Sequence, residues 1–252
     1  LLCPVPRAEG RRVLGIGEVL PFHGVDVWTH YEVSWLDAQG KPQVAVADIR
    51  VPAASPCIIE SKSMKLYFNS LNFEHFDDEA ALRVRLVADL SQAAGAAVDV
   101  RLFRPGAAQA LAVTELAGTC IDDLPLAVSA FRVDAGLLEA DAGQCVEETL
   151  HSHLLRSLCP VTHQPDWASV SIHYRGPAIA HQRLLAYIVS FRDHPDFHEQ
   201  CVERMFCDIS ARCRPEVLTV YARYTRRGGI DINPWRSNLP AAGPDVGRLF
   251  RQ

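Results

Sequence analysis

In WTHYEVSWL, Tyr31, Val33 and Trp35 alternate with His30, Glu32 and Ser34, the two-residue period of a half-buried strand. The turn sequence DAQGKP follows, then the second alternating run QVAVADIRV, so residues 28–52 read as a hairpin. SPCIIESKSMKLYFNSLNF begins extended after Pro56 and then turns polar and basic. From Asp77 the period changes. Leu82, Leu86 and Leu90 recur every four residues, Asp77 or Asp78 can cap the start, and Gly95 can end the helix. Strand-like stretches follow at VDVRLF and near ALAVTEL, and residues 134–147 read as a connection.

The second half repeats this order. ASVSIHY alternates Val170, Ile172 and Tyr174 with Ser169, Ser171 and His173. LLAYIVSF reads as a second strand, apolar enough to be covered on both faces. RDHPDFHEQCVERMFCDISARC predicts a helix with Pro195 in its first turn and a stripe of Phe197, Cys201, Met205 and Ile209. VLTVYARYTR predicts a strand with Leu218, Val220, Ala222 and Tyr224 on one face. The order is strand–strand–helix–strand–strand, twice, in an α+β chain. The division falls into residues 1–134 and 135–252. Two such units leave sheet edges that oligomerisation can pair. The Pro/Gly-rich tail RSNLPAAGPDVGRLFRQ is expected to be irregular.

Composition narrows the function. The chain has 252 residues, 48% hydrophobic and 22% charged, enough for a sizeable core. A net charge of −5 gives no strong basic field for nucleic acid, and no apolar run is long enough to span a bilayer. The opening LLCPVPRAEGRR starts abruptly and carries charges where a signal peptide would have its apolar core. The eight cysteines form no CxxC pair or close Cys/His quartet, so the expectation is a reduced, cytoplasmic protein with no metal site.

Four stretches can carry chemistry, and each also has a structural reading. In LCPVTHQPDW, Cys159 precedes a proline, which favours extended backbone at a loop. With Asp166 folded back beside it, a thiolate and a proton donor suit addition to an unsaturated carbon; the alternative is a buried structural cysteine. In FHEQC, Glu199 can accept two N–H groups of a guanine-like edge and His198 can donate; alternatively, Glu199 complements the helix dipole. ESKSMKLY packs Glu60, Ser61, Lys62, Ser63 and Lys65 together, as a phosphate site or a charged surface helix start. YTRRGGIDINPW sets Arg226 and Arg227 before Gly228 and Gly229, as a phosphate grip or a basic hairpin turn. GIGEVL lacks the third glycine of a dinucleotide fingerprint, so a nicotinamide would have to bind in another way.

Together, IIESKSMKLYFNS, CPVTHQPDW, FHEQCVERMF and YARYTRRGGIDINPWRSN resemble the NADPH-dependent 7-cyano-7-deazaguanine reductases in their long form, as do LPFHGVDVWTHYEVSWL and QVAVAD. The resemblance runs from about PVPRAE to PWRSN. It implies two tandem tunnelling-fold units of ββααββ type, with antiparallel sheets and helices on one face, associating as a homodimer. It implies reduction of a nitrile to an aminomethyl group in queuosine biosynthesis, with no direct contact to nucleic acid or membrane. At matching positions, Cys159 resembles the nucleophile that forms a covalent thioimide, and Asp166 the proton donor. Ile59, Glu60, Ser61, His198 and Glu199 resemble substrate contacts, and Ser61, Lys62, Arg227 and Gly228 resemble NADPH contacts. Leu158 stands where the family commonly has Asn. The rival readings are a zinc-dependent pterin or purine hydrolase of the same fold, a cysteine-dependent nitrile hydrolase, and a non-catalytic purine-binding module.

Overall fold

The computed structural model describes residues 1–107, 111–128, 131–241, 243–245 and 247–252. Its N-terminal half opens with a short strand, β1 (Pro4–Pro6), and a helix, α1 (Arg7–Val13). The hairpin β2 (His23–Leu36) and β3 (Pro42–Pro52) follows. Its turn is fixed by Asp37, whose Oδ1 accepts the N–H groups of Gln39 and Lys41. Next come β4 (Cys57–Ile59), α2 (Ser61–Ser70), α3 (Glu79–Ala94) and β5 (Asp99–Phe103). Asp78 caps α3 by accepting the N–H of Ala81, Leu82, Leu86 and Leu90 are buried, and Gly95 ends the helix in the left-handed conformation. Two short strands, β6 (Val113–Thr114) and β7 (Thr119–Cys120), lead to the second half. There, β8 (Ala140–Leu158) and β9 (Pro165–Ile179) precede α4 (His181–Ser190), α5 (His198–Cys213), β10 (Val217–Tyr224), β11 (Ile230–Ser237) and β12 (Arg248–Leu249).

One eight-stranded sheet runs through both halves in the order β5-β3-β2-β11-β10-β9-β8-β7. Within it β7 and β8 are parallel and the other neighbours antiparallel. The halves join where β11 pairs with β2, for example Ile232 opposite Trp28. Alternation sends one set of side chains to the helices. Trp28, Ile49, Val100, Ile230 and Ile232 pack with α2 and α3. Ala168, Val170, Ile172, Leu218, Val220 and Tyr224 pack with α4 and α5. The opposite face is polar, with Thr29, Asp48, Ser171, Tyr221, Arg223, Asp231 and Asn233. The tail crosses this face: Gln252 Nε2 donates to the carbonyl of Tyr224 and to Asn233 Oδ1, and Arg50 donates to the carbonyl of Pro244.

Six details differ from the sequence expectation. LLAYIVSF is helical and lies in α4 and the 3-10 turn after it. Leu184, Leu185, Tyr187, Ile188 and Phe191 form a stripe with a helical period, which a short apolar run does not distinguish from a strand. The true partner of β9 is β8, hidden because a bulge between Ser152 and Leu155 breaks its alternation; Leu150 and Leu155 are both buried despite opposite parity. Consequently the connection read at 134–147 ends earlier, since β8 already begins at Ala140. A second bulge, between His30 and Val33, puts Tyr31 out of phase with Val33 and Trp35, and its hydroxyl reaches Asp231 on the polar face. Pro195 precedes the helix rather than occupying its first turn, because α5 starts at His198. The stretch near ALAVTEL forms only β6, which pairs with β12; residues 108–110 lie outside the described residues.

Candidate active site

The six-residue loop between β8 and β9 carries the cysteine. Cys159 N–H donates to the carbonyl of Gln164, and the carbonyl of Cys159 accepts the N–H of His163, which closes the loop on itself. Ser157 pairs with Asp166 across the hairpin, so Cys159 and Asp166 arrive at the same end of it. Leu158 contributes backbone: its N–H donates to the carbonyl of His194 and its carbonyl accepts the N–H of Asp196. This fastens the cysteine loop to the segment that enters α5.

A narrow cleft opens there. Cys159 and Asp166 line it together with Ile59 from the end of β4, Glu60 and Ser61 from the start of α2, and Phe197, His198 and Glu199 from the start of α5. Arg227, from the β10–β11 turn, completes it. Residues distant in sequence therefore converge, over Trp28 of β2 and Ile232 of β11 where the two halves of the sheet join. Lys62 and Gly228 do not line the cleft; Lys62 is exposed on α2.

Asp166 is held from two sides. Arg227 Nη2 is 3.1 Å from its Oδ1, and His198 Nε2 is 3.2 Å from its Oδ2. The His198 ring stacks on Tyr224 with centroids 3.9 Å apart, which fixes its direction. Arg227 also donates through Nη1 to Gln164 Oε1, so one guanidinium braces both the cysteine loop and the carboxylate. Burial pushes the Cys159 thiol up, but hydrogen bonds from the Thr162 side chain and backbone, from Arg227 and from the backbone of Val161 outweigh it. The net direction is down.

Glu199 is the opposite case. Burial pushes its carboxyl up to about 7, with the nearby Asp26 adding to the rise. It is 3% exposed and lines the cleft, a costly arrangement that a donor-bearing ligand would offset. Glu60 caps α2: its two oxygens accept the N–H groups of Lys62 and Ser63.

The ESKSMKLY cluster holds both Lys62 and Lys65, and the resemblance implies an NADPH contact for Lys62 alone. One turn further along α2, Lys65 is half-buried, and burial followed by the charge of Arg227 lowers its ammonium. Cys159 and Asp166 are close enough to act on it with the opposite sign. Gly228, at φ +65°, lets this stem pass: a Cβ there would stand 3.0 Å from Lys65 Cδ and Cε. The signal was the helical spacing, which sets Ser61 and Lys65 on one face of α2 and turns Lys62 away.

A family model described as the N-terminal part of the nitrile reductase 7-cyano-7-deazaguanine reductase matches residues 1–102, and a QueF-like protein model matches residues 165–242. The NADPH-dependent 7-cyano-7-deazaguanine reductase of Bordetella avium is 54% identical over 252 residues, covering 100% of this chain and 92% of the relative. The chain belongs to the NADPH-dependent 7-cyano-7-deazaguanine reductase family. Family members so named from Chromobacterium violaceum and Burkholderia vietnamiensis are 54% and 55% identical, with 91% and 92% of their lengths covered. A crystal structure of an apo archaeosine synthase QueF-Like is 20% identical, with TM-score 0.33, covering 38% of this chain and 96% of that one.

Proposed function

We propose that this chain uses NADPH to reduce the nitrile of 7-cyano-7-deazaguanine to an aminomethyl group through a thioimide on Cys159. The observation that carries this reading is an activated thiol beside an ion-paired carboxylate, in a chain 54% identical over its whole length to reductases of that name. A nitrile carbon accepts hydride poorly. The Cys159 sulfur adds to that carbon while its thiol proton passes by way of the Asp166 carboxylate to the nitrogen, which gives a C=N carbon that accepts hydride readily. His198 and Arg227 hold the Asp166 carboxylate from either side, and Arg227 also braces the cysteine loop. Glu199 and Glu60 take the donor edge of the base, with Ile59 and Ser61 alongside and Phe197 as a cover that keeps water from the imine.

Ser61 at the start of α2, Lys62 on the exposed face, Lys65 and Arg227 suit the phosphates of NADPH, and Gly228 leaves room for close approach. Two molecules of NADPH, bound one after the other, would each supply one hydride. The resulting measurement is direct: NADPH oxidation that requires 7-cyano-7-deazaguanine, with two cofactors consumed per aminomethyl product. Base binding without oxidation would instead support a purine-binding module. Hydrolysis products without NADPH would support a hydrolase.

The repeated order of two strands, two helices and returning strands, with a core under each half, supports two tandem tunnelling-fold units divided at 134/135. The edge strand β5 supports a homodimer that extends the sheet. Light scattering is expected to give twice the chain mass, and a fully active monomer would refute it. Among the described residues no helix is long and apolar enough to cross a membrane, and all eight cysteines are free, which fits a cytoplasmic reductase.

Glu199 offers a prediction in which stability and function move apart. Its folded value of about 7 lies above the ordinary carboxylate value of 4.5. Stability is therefore drawn down as pH rises from the unfolded value to the folded one, and that loss persists above pH 7. Glu199→Gln is expected to unfold at an equal or higher temperature than wild type at pH 8, while KM for the base rises on the order of tenfold or more. A variant that is less stable at pH 8 with unchanged KM would show a structural carboxylate.

A further inference from the structure

A second cluster of reactive side chains lies on the polar face of the sheet, away from the helices. There β7 sets Cys120 opposite His151 on β8. His151 and His153 are two residues apart and share that face; their rings meet edge to face with centroids 5.3 Å apart. One ligand atom from each of Cys120, His151 and His153 lies within 4.8 Å of the other two.

The surroundings are those of metal ligands. His151 Nδ1 is 3.1 Å from the carbonyl of Ala117, which can only accept, so that nitrogen carries the proton and Nε2 carries the lone pair. His153 Nδ1 is 2.8 Å from Ser169 Oγ, again leaving Nε2 as the second ring nitrogen. A carbonyl or hydroxyl on the far nitrogen is how a metal-bound imidazole is normally held. Asp122 accepts the backbone N–H of His153 through Oδ2, while its Oδ1 is buried with no hydrogen-bond partner. That oxygen adds negative potential beside the cluster. Gly118 brings the strands together: at φ +87°, a Cβ on it would stand 2.0 Å from the carbonyl oxygen of Thr149. Any other residue would push β7 off β8 and carry Cys120 away from His151.

We infer that Cys120, His151 and His153 form a three-ligand site for a divalent cation of the zinc class. Two imidazoles and a thiolate are borderline-soft donors, the set that favours zinc over calcium or magnesium. Bonds of about 2.0–2.1 Å to nitrogen and about 2.3 Å to sulfur require the three atoms to draw closer, which the exposed Cys120 side chain can do by rotation. Water takes the fourth position. Binding displaces the Cys120 thiol proton, so affinity rises with pH. The ion clips the β7 segment to β8, near Arg251 of the tail, which donates to Ser169 Oγ and to the carbonyl of His153. The site is separate from the cleft of Cys159, and no expectation from sequence included it, because its cysteine and histidines come from separate segments.

The test uses the whole chain, stripped with a chelator, incubated with Zn²⁺ or Co²⁺ and desalted. About one ion per chain is expected to remain, and the Co²⁺ form is expected to show thiolate charge-transfer and tetrahedral bands. Cys120→Ser and His153→Ala are expected to weaken retention by at least about tenfold and to remove the charge-transfer band, while Cys159→Ala retains both. Far-ultraviolet dichroism of each variant reports folding separately. Negligible retention by wild type, or retention and spectra unchanged in folded Cys120→Ser, would overturn the inference. Neither result depends on the nitrile reaction, so the two proposals stand or fall apart.

Discussion

Cys159→Ala is expected to lower turnover on the order of 10⁴-fold or more, the scale for removing the nucleophile of a cooperating set. The cleaner measurement is intact mass after mixing with 7-cyano-7-deazaguanine in the absence of NADPH. Wild type should gain the full mass of the base, since addition expels no atom, and the added mass should disappear when NADPH is supplied. Cys159→Ala should show no gain while still binding the base, because Glu199, Glu60 and Ile59 are untouched. Wild type that binds the base and never gains mass would remove Cys159 from the reaction.

The same thiol gives a pH signature. Activity that requires the thiolate rises with pH through the thiol's pKa. Hydrogen bonds from Thr162 and Arg227 oppose the burial of Cys159 and hold that value low, so the rising limb of kcat/KM in wild type should lie below the ordinary thiol range. Thr162→Val removes one hydroxyl donor and should move the limb to higher pH while leaving the high-pH plateau in place. A purely structural Thr162 would instead lower activity equally at every pH.

Much of this arrangement was legible in the sequence, where side chains declare themselves locally. The Leu82–Leu86–Leu90 stripe with its Asp78 cap, and the Leu218–Val220–Ala222–Tyr224 face, need only a period and an end signal. The folding back of LCPVTHQPDW that sets Ser157 opposite Asp166 needs only the six residues between Cys159 and Asp166, although the strand β8 that leads into it was not legible. What escaped depends on events between distant segments. Two bulges reset the alternation of β2 and β8 and hid the buried faces of both. LLAYIVSF carries apolar residues that satisfy either period, and only the contact with β8, β9 and α5 decides for a helix. ESKSMKLY offered both Lys62 and Lys65, and which of them lies near Arg227 depends on how α2 packs. Nor did any spacing foretell that Arg7, Arg11, Asp26, Glu203 and Arg236 would be buried together.

Arg236→Met is expected to destabilise the protein by about 3–5 kcal/mol, the scale for breaking a buried ion pair on one side. Arg236 is fully buried on β11 and reaches across the seam to β2: its Nη1 lies 2.7 Å from Asp26 Oδ1, and its Nη2 lies 2.9 Å from Glu203 Oε1 on α5. Arg7 on α1 meets the other Asp26 oxygen at 2.5 Å, and Arg11 completes the Glu203 carboxylate at 2.7 and 3.0 Å. Methionine fills a similar volume but leaves both carboxylates buried, Asp26 with Arg7 alone and Glu203 with Arg11 and the more distant Arg7. The pH dependence gives the mechanism. Burial raises Asp26 and Glu203, but Arg236 with Arg7 and Arg11 outweighs it and holds both below their ordinary values. Their contribution is complete above the unfolded carboxylate values and is lost as pH falls through the depressed folded ones. Removing Arg236 should therefore move acid unfolding to higher pH as well as lower the urea midpoint at pH 7. By contrast, Arg85→Ala breaks an exposed pair with Asp89 on α3 and should cost less than about 1 kcal/mol. An Arg236→Met loss no larger than that, with the acid limb unmoved, would mean that apolar packing across β2 and β11 holds the halves together.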